Sequence, residues 1–376
     1  MKTNAIIFIG LFVLLVHPFE CIYASDLFVD SGQTLQDSGS SGYSAHVVLS
    51  DLNGDGDLDA YVTKSDGWRD KIWLNNGRGV FSLASSAPLN VYARQAALED
   101  LDGDGDPDLF SINYNGANSV YLNDGQGQFS DSEQSLGSSH SYGVALGDLD
   151  GDGDFDAFVS NDTANMVWLN DGLANFSDTG QTLGSYDSRR SSLGDLDGDG
   201  DLDAFCVNWG FNLVWINDGS GVFEDSGQSY GSSKSECVAL GDVDGDGDLD
   251  AYVANIDSAD KVWLNNGAAV FTSGENLGLG GSRDVALGDV DGDGNVDAFV
   301  AKSDTDSGVN IVYLNNDAGS VLLLGDSNTR SVALGDVDGD GDLDAFTTNR
   351  VEADKVWLNT SIKKGFMPAV LLILDE

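Results

Sequence analysis

The chain is governed by one nonapeptide, DLDGDGDFD at Asp148–Asp156, which occurs in seven closely similar copies. The copies begin at Asp51, Asp100, Asp148, Asp195, Asp242, Asp289 and Asp336, so that successive starts lie 47 to 49 residues apart. A period of that length means one supersecondary unit stacked repeatedly on itself, and every other residue is best read by its place in that unit.

Chemically the nonapeptide is a hard-cation loop. Oxygen donors stand at alternate positions and a glycine stands at position six, where the backbone must turn sharply, as in the first nine positions of an EF-hand calcium loop. The candidate metal ligands are Asp51, Asn53, Asp55, Asp57 and Asp59 in the first copy and Asp100, Asp102, Asp104, Asp106 and Asp108 in the second. The third and fourth copies supply Asp148, Asp150, Asp152, Asp154 and Asp156, then Asp195, Asp197, Asp199, Asp201 and Asp203. The remaining three supply Asp242, Asp244, Asp246, Asp248 and Asp250; Asp289, Asp291, Asp293, Asn295 and Asp297; and Asp336, Asp338, Asp340, Asp342 and Asp344. An all-oxygen donor set favours calcium over zinc or copper, and a flexible cage of many carboxylates suits calcium better than magnesium. A merely solvated acidic turn does not explain the regular return of the spacing. About seven calcium sites are therefore expected, one per copy.

The flanks exclude an EF-hand. Position twelve is Val159 or Val253 where a bidentate glutamate would stand. Short apolar runs such as Val144-Ala145-Leu146 precede the loop, and β-rich runs such as Ala157-Phe158-Val159 follow it. A third strand then recurs with an aromatic at one place, as in Val167-Trp168-Leu169-Asn170, and a turn leads to a fourth, as in Asn175-Phe176-Ser177-Asp178. The recurring aromatic predicts packing between repeats rather than a ligand cage. Four antiparallel strands per repeat predict an all-β, seven-bladed β-propeller. The segment Phe28–Leu35 matches a fourth strand yet precedes the first loop, whereas the last repeat lacks a fourth strand, so the N-terminal strand is expected to close the ring.

Three segments follow. Residues 1–24 read as a secretory signal peptide, with Lys2 before the apolar run Ala5–Val16 and Ile22-Tyr23-Ala24 as the cleavage site. Residues 25–359 form the propeller, and residues 360–376 a tail whose apolar end is too short to span a bilayer. The net charge of −46 would suggest disorder, but just over half of the 63 acidic residues lie in the loops, where calcium would neutralise part of the charge. That surface disfavours nucleic acid and anionic membranes as partners. Beyond Cys21 in the signal segment, Cys206 and Cys237 replace valines of other repeats; they read as buried small hydrophobes, with a disulfide between neighbouring repeats as the alternative in an oxidising compartment.

The run VALGDLDGDGDFDAFVSN, followed by MVWLNDG and NFSD, resembles the FG-GAP/VCBS repeats best known from the calcium-binding head of integrin α-chains. The resemblance covers about residues 27–359 and implies that the loop joins the first two strands of a blade, with ligands at positions 1, 3, 5, 7 and 9. Asn53 and Asn295 depart from the all-aspartate pattern, but Asn53 still offers an oxygen and position seven binds through its carbonyl. The family spans adhesion receptors, lectins and accessory domains of polysaccharide-degrading enzymes, so it leaves the function open.

No catalytic constellation stands out, and His46 and His140 are the histidines beyond the signal segment. The arginines carry more information. Arg94, Arg189, Arg283 and Arg330 each stand six residues before the first Asp of a loop, a place filled elsewhere by Ala45, Tyr142 and Glu236. If first strands line the axis, this register sets a broken arginine ring around the channel mouth opposite the loops. Trp68 and Trp209, with Tyr43, Tyr92, Tyr114, Tyr186 and Phe211, are expected around it. The functional expectation is a secreted monomer that recognises an extracellular glycan or protein through exposed arginines and aromatics; set evenly against it is a ring whose arginines pair with local aspartates and whose aromatics cap blade packing. The alternative is a polysaccharide lyase-like enzyme built on the same propeller.

Overall fold

The computed structural model describes residues 27–36, 43–65, 68–84, 93–303, 308–315, 319–325 and 327–361. The signal segment with Cys21, Tyr92 and most of the C-terminal tail lie outside those residues. The described residues form seven sheets of four antiparallel strands arranged as a ring, with no helix among them.

Blade four shows the unit: Ser188–Gly194, Asp203–Asn208, Asn212–Asn217 and Phe223–Tyr230, in sequential order. The second strand, DAFCVN, is buried along its whole length because it lies inside the sheet and under a neighbouring blade on each face. The outer strand has water on one edge, and its side chains are largely exposed. First strands of adjacent blades lie side by side around the axis, and their side chains line a central channel of about 530 Å³.

Blade-to-blade packing repeats one contact. A phenylalanine at the start of one blade's outer strand meets, edge-on, the second-strand aromatic of the blade before it. Phe205 and Phe271 have ring centroids 5.2 Å apart, Phe158 and Phe223 5.3 Å, and Phe110 and Phe176 5.2 Å. Edge-to-face pairs of this kind add specificity to the burial of large rings. The third-strand tryptophans Trp73, Trp168, Trp215 and Trp357 are buried in the same inter-blade clusters, as their recurrence predicts.

The N-terminal strand Phe28–Asp30 pairs antiparallel with Lys355–Asn359 and is the outer strand of the seventh sheet. Phe28 makes the expected edge-on contact with Phe299 of blade six, at 5.8 Å. Phe81 of blade one contacts Phe346 of blade seven in the same way, at 5.3 Å. Both cysteines are buried and free, so the disulfide alternative is not realised.

Candidate functional site

Each first strand has two ends with different chemistry. Its C-terminal end runs into the acidic loop. There the first aspartate is oriented by backbone amides: Gly54 and Gly56 each donate to the Asp51 carboxylate at 2.8 Å, and the other loops repeat the pattern. Gly54 and Gly56 hold φ of 73° and 90°, which explains why these turn positions are glycine. Carboxylate oxygens of Asp100, Asp102 and Asp108 converge within 4.8 Å of one another, as do those of Asp148, Asp150 and Asp156, and of Asp289, Asp291 and Asp297. Asp195 with Asp197 and Asp199, and Asp242 with Asp244 and Asp246, form similar groups. Burial and then the neighbouring position-five carboxylate raise the pKa of Asp102, Asp150, Asp197 and Asp244. Clustered oxygens with mutual repulsion are what a hard metal ion would relieve, so the residues present fit such an ion. The position-seven side chain is turned elsewhere: Asp57 and Asp106 lie against Gly77 and Gly125 of the following turn, leaving their main-chain carbonyls as the donors available at that position.

The ninth aspartate does a second job that the sequence reading missed. In all seven blades its carboxylate is buried and accepts two backbone N–H groups, one from loop position two and one from the end of the third strand. The asparagine that supplies the second N–H reaches with its side chain to the preceding blade. Asn217 donates from Nδ2 to the Leu149 carbonyl at 2.8 Å, and Asn75 to that of Val337 at 2.7 Å. The signal was present in the repeated third-strand asparagine. Its partner, roughly seventy residues away, was not.

The N-terminal end of each first strand carries the arginine register. In every blade the ladder skips one residue there, and the skipped residues are Ala45, Arg94, Tyr142, Arg189, Glu236, Arg283 and Arg330. A β-bulge re-aims the side chain it carries, and these bulges bring the register to one cavity of about 210 Å³ at the channel mouth. Arg94, Arg189, Arg283 and Arg330 all line it, joined by Arg190, Arg350, Tyr43 and Tyr142. Six of the chain's eight arginines therefore face one space.

Three of the guanidinium groups lie over aromatic faces, Arg350 on Tyr43 at 5.0 Å among them. Arg189 lies 3.5 Å from the Trp209 centroid and 4.0 Å from that of Tyr142, and Arg94 lies 4.8 Å from Tyr142 and 5.5 Å from Tyr114. Arg283 approaches Glu236 at 3.6 Å, and the Trp209 indole N–H donates to the same carboxylate at 3.2 Å. Burial, followed by Arg283 and Arg350, pulls the Arg330 pKa down to about 10. Two expectations need correction. Arg189 is only 5 % exposed, because Tyr142 and Trp209 cover it, and the other three ring arginines are half-buried. Trp68 is half-buried and is not among the residues that line the cavity, whereas Trp209 reaches it through Arg189 and Glu236.

Just inside the mouth a polar layer crosses the channel. Arg190 of blade four pairs with Asp284 of blade six, which also accepts from Ser331. Burial would raise the Asp284 carboxyl, but Arg190, His46 and the hydrogen bonds from Cys237 and Ser331 together outweigh it and hold the carboxyl below the usual range. His46 is buried nearby, against the channel; burial and then Arg190 push its pKa down to about 3, so it is neutral.

Comparison with known proteins gives the same architecture. Among curated proteins none matches the chain. Among solved structures, the BBS1N domain in complex with ARL6DN is similar with a TM-score of 0.64 at 15 % identity, covering 89 % of this chain and 97 % of that one. A streptogramin B lyase gives 0.60 at 12 % identity, covering 89 % and 99 %. An Agrocybe aegerita lectin that recognises non-reducing terminal N-acetylglucosamine gives 0.51 at 19 % identity, covering 76 % and 81 %. These likenesses are of fold. The FG-GAP-like repeat profile matches five overlapping stretches, residues 100–159, 148–206, 195–253, 242–300 and 289–347. With repeats matched over more than half its length, the chain belongs to the FG-GAP repeat family.

Proposed function

We propose that the chain is a secreted, calcium-stabilised propeller that recognises an anionic extracellular ligand at the arginine-lined mouth of its channel. The observation that carries this reading is the gathering of six arginines around one cavity in a molecule of net charge −46. In so acidic a chain, a concentrated positive site focuses anions on one place. Guanidinium forks match the oxygens of carboxylate, sulfate and phosphate groups.

Calcium belongs to the opposite end. About seven loops would hold it through the aspartates and asparagines at positions one, three, five and nine and the carbonyl at seven. There it supplies structural charge, cancelling repulsion that the bare carboxylates exert on one another. Export rests on Lys2 and the apolar run Ala5–Val16. Among the described residues no helix is long and apolar enough to cross a membrane. Propellers of similar shape include one solved with a protein partner and one specific for a glycan end, so both ligand classes are compatible with this architecture.

The test is an array of glycans and acidic proteins probed in calcium with the wild type and with R94Q/R283Q/R330Q, which spares the buried Arg189. The wild type should bind acidic ligands and the folded variant should not. Normal binding by the variant would move the site to another surface. Release of unsaturated sugars from a polyuronate would instead make the molecule a lyase.

A further inference from the structure

The mouth is not symmetric around the axis. Three of its guanidinium groups have a carboxylate at hand: Arg189 has Asp187 at 3.4 Å, Arg283 has Glu236 at 3.6 Å, and Arg190 has Asp284. Arg94, Arg330 and Arg350 pair with no carboxylate among the described residues. Arg330 lies within electrostatic range of Arg94, Arg283 and Arg350. Glu236 also lies within electrostatic range of Arg94 and Arg330, but it is ion-paired with Arg283, so positive charge is left in excess on the side formed by blades two and seven.

Beside blade four the rim is aromatic instead. Tyr186, Trp209 and Phe211 are large, exposed side chains on the connections that meet there; the Trp209 backbone N–H donates to the Asp187 carbonyl at 3.0 Å, which ties the two connections together. Trp209 offers its outer part to solvent while Arg189 stacks on its ring. An anion-hungry pocket and an apolar shelf therefore lie side by side, at the end of the channel away from the acidic loops.

We propose that the mouth takes the terminal residue of a glycan esterified with a tetrahedral oxyanion, sulfate or phosphate, seated on Arg94, Arg330 and Arg350, with the next sugars running over Tyr186, Trp209 and Phe211. This rests on the anion-binding reading and narrows it. A planar carboxylate offers two oxygens, whereas a sulfate or phosphate ester offers three directed to different sides, one for each unpaired fork. A cavity of about 210 Å³ has room for one pyranose ring with its ester. It is too small for the edge of a folded protein. The shelf presents apolar ring faces to the apolar faces of the sugars, while the rest of the molecule repels a polyanion, so only the charged end is drawn in.

The test is isothermal titration of the full mature chain in calcium with glucose 6-sulfate, glucose 6-phosphate, glucuronate and glucose, and with a sulfotyrosine peptide. Both esters should bind roughly tenfold or more tightly than glucuronate, since a third charge-assisted contact is made, and glucose should not bind. The ratio of the two esters identifies the natural group. R330Q should abolish ester binding, and R330K, which keeps the charge but loses the fork, should reduce the preference for esters over glucuronate to near unity. F211A should weaken a 6-sulfated disaccharide several-fold while leaving glucose 6-sulfate unchanged. Glucuronate binding as tightly as the esters, with R330Q inactive, overturns the ester proposal and leaves the anion reading standing. Binding of the sulfotyrosine peptide alone overturns the glycan assignment. No binding of any anion, or wild-type binding by a folded R330Q, overturns both.

Discussion

The two ends of the inner strands make an instructive pair. At the loop end all seven blades use nearly the same residues, down to the ninth aspartate that accepts the same two amides each time. At the mouth end one register carries Ala45, Arg94, Tyr142, Arg189, Glu236, Arg283 and Arg330. Repetition occurs where every blade has the same task, joining itself to its neighbour. Divergence occurs where seven blades converge on one axis, where a single ligand bound at the mouth would meet all of them at once. Because the divergent residue sits on a bulge outside the ladder, it can change without disturbing strand pairing.

The largest way to break that comparison is to strip the loops. With free calcium ten times the dissociation constant, each site contributes about 1.4 kcal/mol, so removal from all seven loops together should unfold the chain or lower its Tm by about 15 °C. Calorimetry with and without chelator measures this, and an unchanged Tm would remove the loops from the stability account. Site affinities should be on the order of 10⁻⁴ to 10⁻³ M, as in other extracellular modules.

Deleting residues up to Asp30 should have the next effect. It exposes the edge of Lys355–Asn359 and removes the Phe28–Phe299 contact. We expect a loss of about 3–5 kcal/mol in urea unfolding, in line with removal of a buried phenylalanine, and a tendency to associate through the bare edge. A truncated chain as stable as the full one would show that this strand does not close the ring.

Asn217→Ala removes donors to the carbonyls of Leu149 and Leu202. The Leu149 carbonyl keeps the Gly221 N–H at 2.8 Å, so the loss should cost about 1–2 kcal/mol, seen as a lower urea midpoint, with ligand binding at the mouth unaltered.

Asp70 offers a pH test away from both ends. It accepts the Lys64 N–H and the Tyr61 hydroxyl, each at 2.8 Å, and burial raises its pKa to about 7. The folded state thus holds this proton more firmly than the unfolded chain does. Its contribution is full below pH ~4 and is lost as pH rises through ~7. Asn118, Asn165, Asn212 and Asn310 accept the corresponding N–H in other blades without a charge. Asp70→Asn should therefore stabilise the protein by about 1–2 kcal/mol at pH 8 and flatten the decline between pH 4 and 7. An unchanged pH profile in urea melts would mean that Asp70 does not titrate in that range.

The smallest effect on folding is expected from Arg330→Gln. It removes a half-buried charge surrounded by like charges, so stability should stay within about 0.5 kcal/mol while anion binding is lost. A large fall in Tm would make the ring part of the scaffold.

Much of this was legible in the sequence because a period exposes position. Counting six residues back from each loop located the arginine register, and matching Phe28–Leu35 to later fourth strands identified the segment that pairs with Lys355–Asn359. What was not legible depends on pairing between distant strands. The bulge that turns Arg189 toward the mouth appears only when Ser188 and Arg190 are seen to pair with adjacent residues, Asn208 and Val207. The burial of Arg189 needs both Tyr142 from one blade and Trp209 from the next hairpin. The Arg190–Asp284 pair joins blades that are not neighbours, and no local pattern announces it.

The most direct measurement of the division between the two ends is anomalous diffraction from a crystal grown in calcium and soaked in tungstate, a heavy tetrahedral oxyanion. Calcium peaks should lie in the loops that begin at Asp51, Asp100, Asp148, Asp195, Asp242, Asp289 and Asp336, and a tungsten peak at the mouth within hydrogen-bond distance of Arg330. Loops without calcium, or tungstate bound elsewhere with the mouth empty, would contradict the account.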